Sequence, residues 1–341
     1  MPAAVPSLVH SVETSIPFHS NYTYVEYLRH FCTERYDAAE AVYSYLDDLN
    51  GTSKRWTLEY CRSHAWFTRN SDTGEVRVAS NSCHLRWCPV CADSRRNYIS
   101  HSVSEWVSEQ SHPKFLTLTL KHSKAGLSFQ VDCLYNCFRS LRRRNEFRKA
   151  VPGGIWFFQV KRSKTDGKWH PHLHCLISGD YIPHARLSRI WLQITYTSSV
   201  VDIRPIKDPQ KAANDAARYA AAPGSLVGLP LSKAVELVEA MHGRRICGTW
   251  GTARSVSLRP SRLQDSGKWQ ALGSWGLVTS NRLTDPNAKS IFLAWQLNEK
   301  LPEGVSCYHL DPDALKISPK EIEHCYLDFM YPEGRSPPWP E

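Results

Sequence analysis

The segment KWHPHLHCLISG (residues 168–179) places histidine at every second position, at His170, His172 and His174, ahead of the apolar run Cys175, Leu176 and Ile177. In an extended chain alternate residues share a face. The three imidazoles therefore point one way, while Leu173, Cys175 and Ile177 point the other way, into a core. Two imidazoles at i and i+2 lie about 6.5–7 Å apart at Cα, close enough to converge on one metal ion. Lone strand histidines are usually hydrogen-bonded surface or core groups. Three at period two, flanked by Trp169 and Pro171, favour a metal site.

Working outward, KTDGK (164–168) is a hairpin signal, so the preceding run IWFFQVKRS (155–163) pairs with the histidine strand. Gln159 and Lys161 lie on that strand, and Gln159 can supply an oxygen beside the imidazoles. KFLTLTL (114–120) alternates Leu and Thr and reads as a strand with one apolar and one polar face. Residues 127–150 have helical spacing, as do 184–195 and 231–242, and SVVDIRPI (199–206) is strand-like. DPQKAANDAARYAAAPG (208–224) opens on Asp and closes on Pro-Gly, the punctuation of a helix. Upstream, 23–49 is helix-compatible, TLEYCRSHAWF (57–67) and EVRVAS (75–80) are strand-like around the turn SDTG, and a helix follows from about Ala92 to Gln110. This order predicts an α+β fold, a central antiparallel sheet backed by helices. Three regions follow: 1–110, with a cysteine-rich module and a loose leader at 1–22; 111–250, the sheet region with the histidine strand, which the resemblance below reads as the catalytic domain; and 251–341, without a motif.

CHLRWCPVC (83–91) supplies Cys83, Cys88 and Cys91, and Cys61 lies upstream. Cys-x2-Cys after a Pro-containing turn suits a tetrahedral structural Zn²⁺ site. Cys61 is the favoured fourth ligand, with His64 and His84 as alternatives. Cys32, Cys133, Cys137, Cys175, Cys247, Cys307 and Cys325 sit singly among apolar neighbours and read as buried thiols.

The chain has 341 residues and a formal charge of +9, an excess that suits a polyanionic partner, nucleic acid first. Arg142, Arg143, Arg144 and Arg148 form its densest positive run, read either as a solvated helix face or as a contact to DNA backbone. Arg95, Arg96 and His101 follow the cysteine cluster and could meet phosphates. No basic segment leads into a long apolar run at the start, and no stretch nears the roughly 18 apolar residues of a membrane helix. The expectation is a soluble, cytoplasmic protein without a membrane partner.

The motif HPHLHCLI (170–177) resembles the His-hydrophobic-His motif of the HUH endonucleases, particularly the rolling-circle replication initiators of small bacterial plasmids. FLTLTL (115–120) looks like that family's first motif, and AARYAAAPG (216–224) is similar to its third, which carries a nucleophilic tyrosine. The resemblance implies the HUH fold, with His172 and His174 as ligands of a catalytic Mg²⁺ or Mn²⁺ and Tyr219 as nucleophile. Gln159 stands where several relatives have a carboxylate, and His170 where the family varies. Asp215, one turn before Tyr219, matches an acidic residue implicated in termination. The family often has Lys three residues after Tyr, where this chain has Ala222; Arg218 points elsewhere on the helix. The implied activity is nicking of one origin strand, through a 5′-phosphotyrosine link and a 3′-OH that primes replication, followed by rejoining. Plasmid origin DNA, single-stranded or supercoiled, would be the substrate, with host helicase and polymerase as partners. Alternatives are a single-tyrosine transposase and a zinc-containing DNA-binding regulator without catalysis.

Overall fold

The computed structural model describes residues 24–259 and 269–305, apart from 31, 122, 164, 222, 223 and 303, together with 326–327. The leader, Ala222, Cys307 and Cys325 lie outside the described residues. In chain order the helices and strands are α1 (Tyr24–His30), α2 (Thr33–Asn50), α3 (Lys54–Glu59), β1 (Ala65–Asn70), β2 (Val76–Ser80), α4 (Pro89–Ser108), β3 (Lys114–Thr119), α5 (Leu127–Arg143) and α6 (Asn145–Ala150). There follow β4 (Gly153–Arg162), β5 (Trp169–Ser178), α7 (His184–Thr195), β6 (Val201–Pro205), α8 (Pro209–Ala221), α9 (Leu231–Ala240), β7 (Cys247–Gly251), β8 (Trp269–Ser274), α10 (Trp275–Asn281), α11 (Pro286–Leu297) and β9 (Tyr326–Leu327).

Two antiparallel sheets result, and the α+β expectation holds. The larger runs β6-β3-β5-β4-β7. Its register sets Gln159 opposite His172, Phe157 opposite His174 and Lys161 opposite His170 on one side. On the other side Thr117 faces His174 and Thr119 faces His172. Strand parity divides the sheet cleanly. Leu116, Leu118, Phe158, Val160, Leu173, Cys175 and Ile177 share one core with Leu134 and Phe138 of α5, Leu187 of α7 and Leu237 of α9. On the histidine face, Ile155, Phe157 and Leu176 pack with Ile99 and Val103 of α4 and the alanines of α8. One face is thus wholly apolar, while the other mixes a small core with a polar strip.

The smaller sheet runs β8-β1-β2-β9. Phe67 of β1 is buried against Trp275 (centroids 5.3 Å apart, 4° between planes) and Trp295 (5.8 Å), which lie on α10 and α11. β8 pairs with β1 across some 200 residues of sequence.

Two local readings change. TLEYCRSHAWF is strand-like only from Ala65; its first residues belong to α3. The reason is a cap: the Asp47 carboxylate accepts from the backbone N–H groups of Lys54 (2.9 Å) and Arg55 (2.6 Å) and starts a helix that aromatic propensity would not predict. GRRICGTWG contains β7, which forms an edge on β4. Gly251 makes that edge possible, because its φ is 58° and a Cβ there would lie 1.7 Å from the Pro152 carbonyl oxygen. Among the thiols read as buried, Cys32 and Cys175 are so, whereas Cys133, Cys137 and Cys247 are half-buried.

Candidate active site and metal centre

The polar strip of the larger sheet is built by strand register. Thr117 Oγ1 lies 3.1 Å from His174 Nδ1, and Thr119 Oγ1 lies 3.1 Å from His172 Nδ1. With Nδ1 engaged by β3, Nε2 is the remaining ring nitrogen of each imidazole. His174 Nε2 is 2.9 Å from Gln159 Oε1. Burial holds the His174 pKa down to about 3, helped by the neighbouring His172 and the Lys161 cation, so the ring is neutral. Facing the Gln159 amide oxygen, Nε2 carries the N–H; with that proton moved to Nδ1, toward the Thr117 oxygen, Nε2 would have the lone pair a cation needs. The imidazole rings of His172 and His174 have centroids 6.1 Å apart, and His170 continues the row at 6.4 Å from His172. Two imidazoles and an amide oxygen are a donor set that could hold a divalent cation.

Tyr219 reaches this strip from α8. Asp208 accepts from the Lys211 N–H at 2.9 Å and opens that helix. Ala213, Ala216 and Ala217 are fully buried against α4 and the sheet, and only small side chains permit so close an approach. Ser100 donates to Asn214, Ser104 Oγ donates to Gln210 Oε1 at 2.9 Å, and Gln210 donates to Asn214 at 3.0 Å, which fixes the sliding register of α8 on α4. The Tyr219 ring then stacks on His174, with centroids 4.3 Å apart and planes 17° from parallel. Burial raises the phenol's pKa; the Arg218 cation opposes the rise and the Asp215 carboxylate adds to it. Asp215, one turn before Tyr219, forms an ion pair with Arg218, which adjoins that tyrosine. Although Arg218 points away from Tyr219 by helical position, its charge reaches the phenol.

The cysteines also come together. Cys61 Sγ is 3.4 Å from Cys91 Sγ and 3.7 Å from Cys88 Sγ, and Cys83 Sγ is 3.6 Å from Cys91 Sγ. Tetrahedral bonds of about 2.3 Å imply ligand separations of about 3.8 Å, so this cluster could hold a metal such as zinc. Contacts from the surrounding thiols, more than the Arg62 cation, hold Cys91 well below its ordinary value. His64 and His84 are not members of the cluster. Cys88 caps α4, with Cys91 in its first turn, so the cluster ties the smaller sheet to the helix on which α8 rests.

The basic residues divide. Arg142 stacks over Phe138 (4.6 Å) and near Trp250 (5.8 Å), with its pKa lowered by burial. Arg143, Arg144 and Arg148 are exposed, but α5 and α6 cover the sheet face opposite the histidines. Arg96 is only 6% exposed; burial lowers its pKa to about 10, and the charges acting on it include Arg218 and Asp215. His101 is exposed beside Glu105, and Arg95 is half-buried.

Sequence reasoning missed Thr117 and Thr119 as partners of the histidines. Their signal was the polar face of the Leu/Thr alternation, legible once the neighbouring strand is known. Trp191 Nε1 and Ser198 Oγ both donate to the Thr119 carbonyl, at 2.9 and 2.6 Å, and anchor that strand end.

A protein-family model described as "Replication protein" matches residues 75–300. The chain is also similar to "Protein rep" of Staphylococcus aureus, 22% identical over 188 residues that cover 50% of this chain and 82% of that protein. No solved structure matches. Among the described residues no helix is long and apolar enough to cross a membrane.

Proposed function

The chain belongs to the replication protein family, and from that premise we propose that it is a rolling-circle plasmid replication initiator with the HUH endonuclease fold. It would nick one origin strand with Tyr219 and later rejoin it. The observation that carries this reading is the Tyr219 ring stacked on His174, whose Nε2 faces Gln159 Oε1. In this reading the nucleophile and the groups that would hold a cation share one polar strip of the sheet.

His172, His174 and Gln159 would hold the divalent cation, Mg²⁺ or Mn²⁺, which when bound polarises the scissile phosphate. The phenol oxygen of Tyr219 attacks phosphorus, the bond to the 3′ oxygen breaks, and that oxygen takes up a proton as the 3′-OH. The phenolic proton passes to solvent. The phosphotyrosine ester conserves the bond energy, so a later attack by a DNA hydroxyl reverses the step and reseals the strand. A plasmid origin is the substrate, and host helicase and polymerase would extend the primer. The test is incubation with supercoiled origin plasmid and Mn²⁺ or Mg²⁺. Relaxed circles carrying covalently attached protein are expected, and intact supercoil with free protein would sink the enzyme reading in favour of a DNA-binding regulator. A nick placed at a mobile element's end would favour transposition.

Thr117 and Thr119 orient the two imidazoles in this reading. Outer hydrogen bonds of this kind are worth about 10–100-fold in metal affinity. The Thr117→Val, Thr119→Val pair, which preserves shape, should weaken Mn²⁺ binding by that factor in calorimetry, while the Ser pair should stay near wild type.

Asp215 would serve the second cleavage as the base that activates the incoming hydroxyl. It also holds the Tyr219 phenol up, both directly and by pairing with Arg218. Asp215→Asn should therefore shift the pH profile of the first cleavage toward lower pH, because the phenolate forms more readily. Rejoining in the same variant should slow by about 10²-fold. Single-turnover assays across pH separate the two effects, and an unmoved first-cleavage profile would break the link.

A further inference from the structure

The zinc-type module carries a second feature that the nicking chemistry does not use. From α3 through the following turn to the start of β1, four aromatic rings follow one another in a row. Trp56 stacks on Tyr60 with centroids 5.3 Å apart and planes 6° from parallel. Tyr60 meets His64 at 5.1 Å, and His64 meets Trp66 at 6.3 Å. Trp56 is 64% exposed and Tyr60 44%. No aliphatic side chain interrupts the row, since Leu58 points into the core.

The row is rigid. Cys61, a member of the cysteine cluster, lies directly beside Tyr60 in sequence. Asn81 clamps the turn, its Nδ2 donating to the Tyr60 carbonyl at 2.8 Å and its Oδ1 accepting from the His64 N–H at 2.9 Å. Both nitrogens of the His64 ring are engaged, Nδ1 with Ser63 Oγ at 2.9 Å and Nε2 with the Tyr60 hydroxyl at 3.4 Å. Exposing an indole to water costs free energy unless something covers it. A preorganised stack with an open outer face on Trp56 is built to receive another flat ring.

We propose that this aromatic ladder binds single-stranded DNA, with unpaired bases stacking onto Trp56 and along Tyr60. Base–aromatic stacking tolerates any sequence, because every base has a π face. A duplex buries those faces within its own stack, so the occupant is an unwound strand. The whole chain's excess of +9 suits the phosphates that accompany the bases, but next to Trp56 Arg55 is held by Glu40 and Glu59 and Lys54 lies beside Asp47, so at the ladder itself the rings carry the contact. The inference rests on the nicking reading for its purpose: strand separation at an origin supplies the unpaired DNA, and the ladder holds it.

The test uses the full chain and a fluorescent oligothymidylate that lacks the origin, so that no cleavage interferes. By anisotropy, the Trp56→Leu, Tyr60→Leu variant should bind ten- to a hundredfold more weakly than wild type, while the Phe pair stays within about threefold. Leucine retains apolar area but has no ring face. The slope of affinity against salt should be unchanged, since no cation is lost. Metal content and melting temperature of the variants report that the module is folded; if the Leu pair melts early, the single Trp56→Leu change, at an exposed site, carries the comparison. Equal affinity of the Leu variant and wild type overturns the proposal, as does absence of binding by wild type. Plasmid nicking measured in parallel separates the two claims. Nicking with ladder-independent binding sinks the ladder alone, whereas ladder-dependent binding without a tyrosine adduct sinks only the nicking reading.

Discussion

Tyr219→Phe is expected to abolish the covalent protein–DNA adduct and to lower origin nicking by about 10⁴-fold or more, the scale seen when a covalent nucleophile is deleted. The substitution removes one oxygen and leaves the ring. Its stack on His174 at 4.3 Å remains, as does the buried alanine face of α8 on α4. Melting temperature and Mn²⁺ affinity should therefore stay near wild type, within about 1 kcal/mol for the fold. That separation makes the result informative: the nucleophile disappears while the donor set and the packing stay. A 3′-labelled origin strand in a denaturing gel reads out the adduct directly. If the Phe variant nicks as well as wild type, another group attacks the phosphate, and peptide mapping of the labelled end would identify it.

The second large effect is expected at the cysteine cluster. If the wild type binds one zinc per chain, as this reading expects, Cys88→Ser should lose it and destabilise the protein by about 4 kcal/mol or more, since structural zinc binding is folding free energy. Cys88 is both a cluster member and the residue that caps α4, and all four sulfurs lie within 4.8 Å of one another. Loss of the ion leaves buried thiols in mutual contact, with no charge to organise them. The damage should travel, because α4 carries Ser100 and Ser104, which hold Asn214 and Gln210 of α8. Chelation of the wild type should thus lower melting temperature and then nicking, even with Mn²⁺ supplied afterwards. Metal analysis together with calorimetry checks this; zinc-free protein with unchanged melting would contradict it.

Much of the candidate site was legible because its signals are local. Period two at His170, His172 and His174 reports a strand and its two faces without reference to anything else. The hairpin KTDGK brings Gln159 beside the histidines, and the alanine-rich helix around Tyr219 announces close packing. Cys-x2-Cys at Cys88 and Cys91 is likewise a property of one helix start. What was not legible depends on pairing between distant segments. Thr117 and Thr119 meet imidazoles only through the β3–β5 register. Arg142 reads as a DNA contact in a basic run, yet it lies against Trp250, 108 residues away in sequence (250 − 142). The motif-poor C-terminal stretch supplies β8, the edge neighbour of β1, and nothing in its own composition says so.

By itself, then, the sequence determined the faces of the histidine strand, the chain order of strands and helices and three of the four clustered thiols, all consequences of backbone periodicity and short-range spacing; the candidate nucleophile came from the family resemblance, and Cys61 as the fourth thiol from the structure. Tertiary structure alone decided that the Tyr219 ring lies on His174, that threonine hydroxyls engage Nδ1 of both imidazoles, and that four rings line up beside the cysteine cluster. The physical reason is that side-chain contacts across strands and helices depend on register and docking distance. Those are set by how whole apolar faces pack, and a shift of one residue would reverse every pairing.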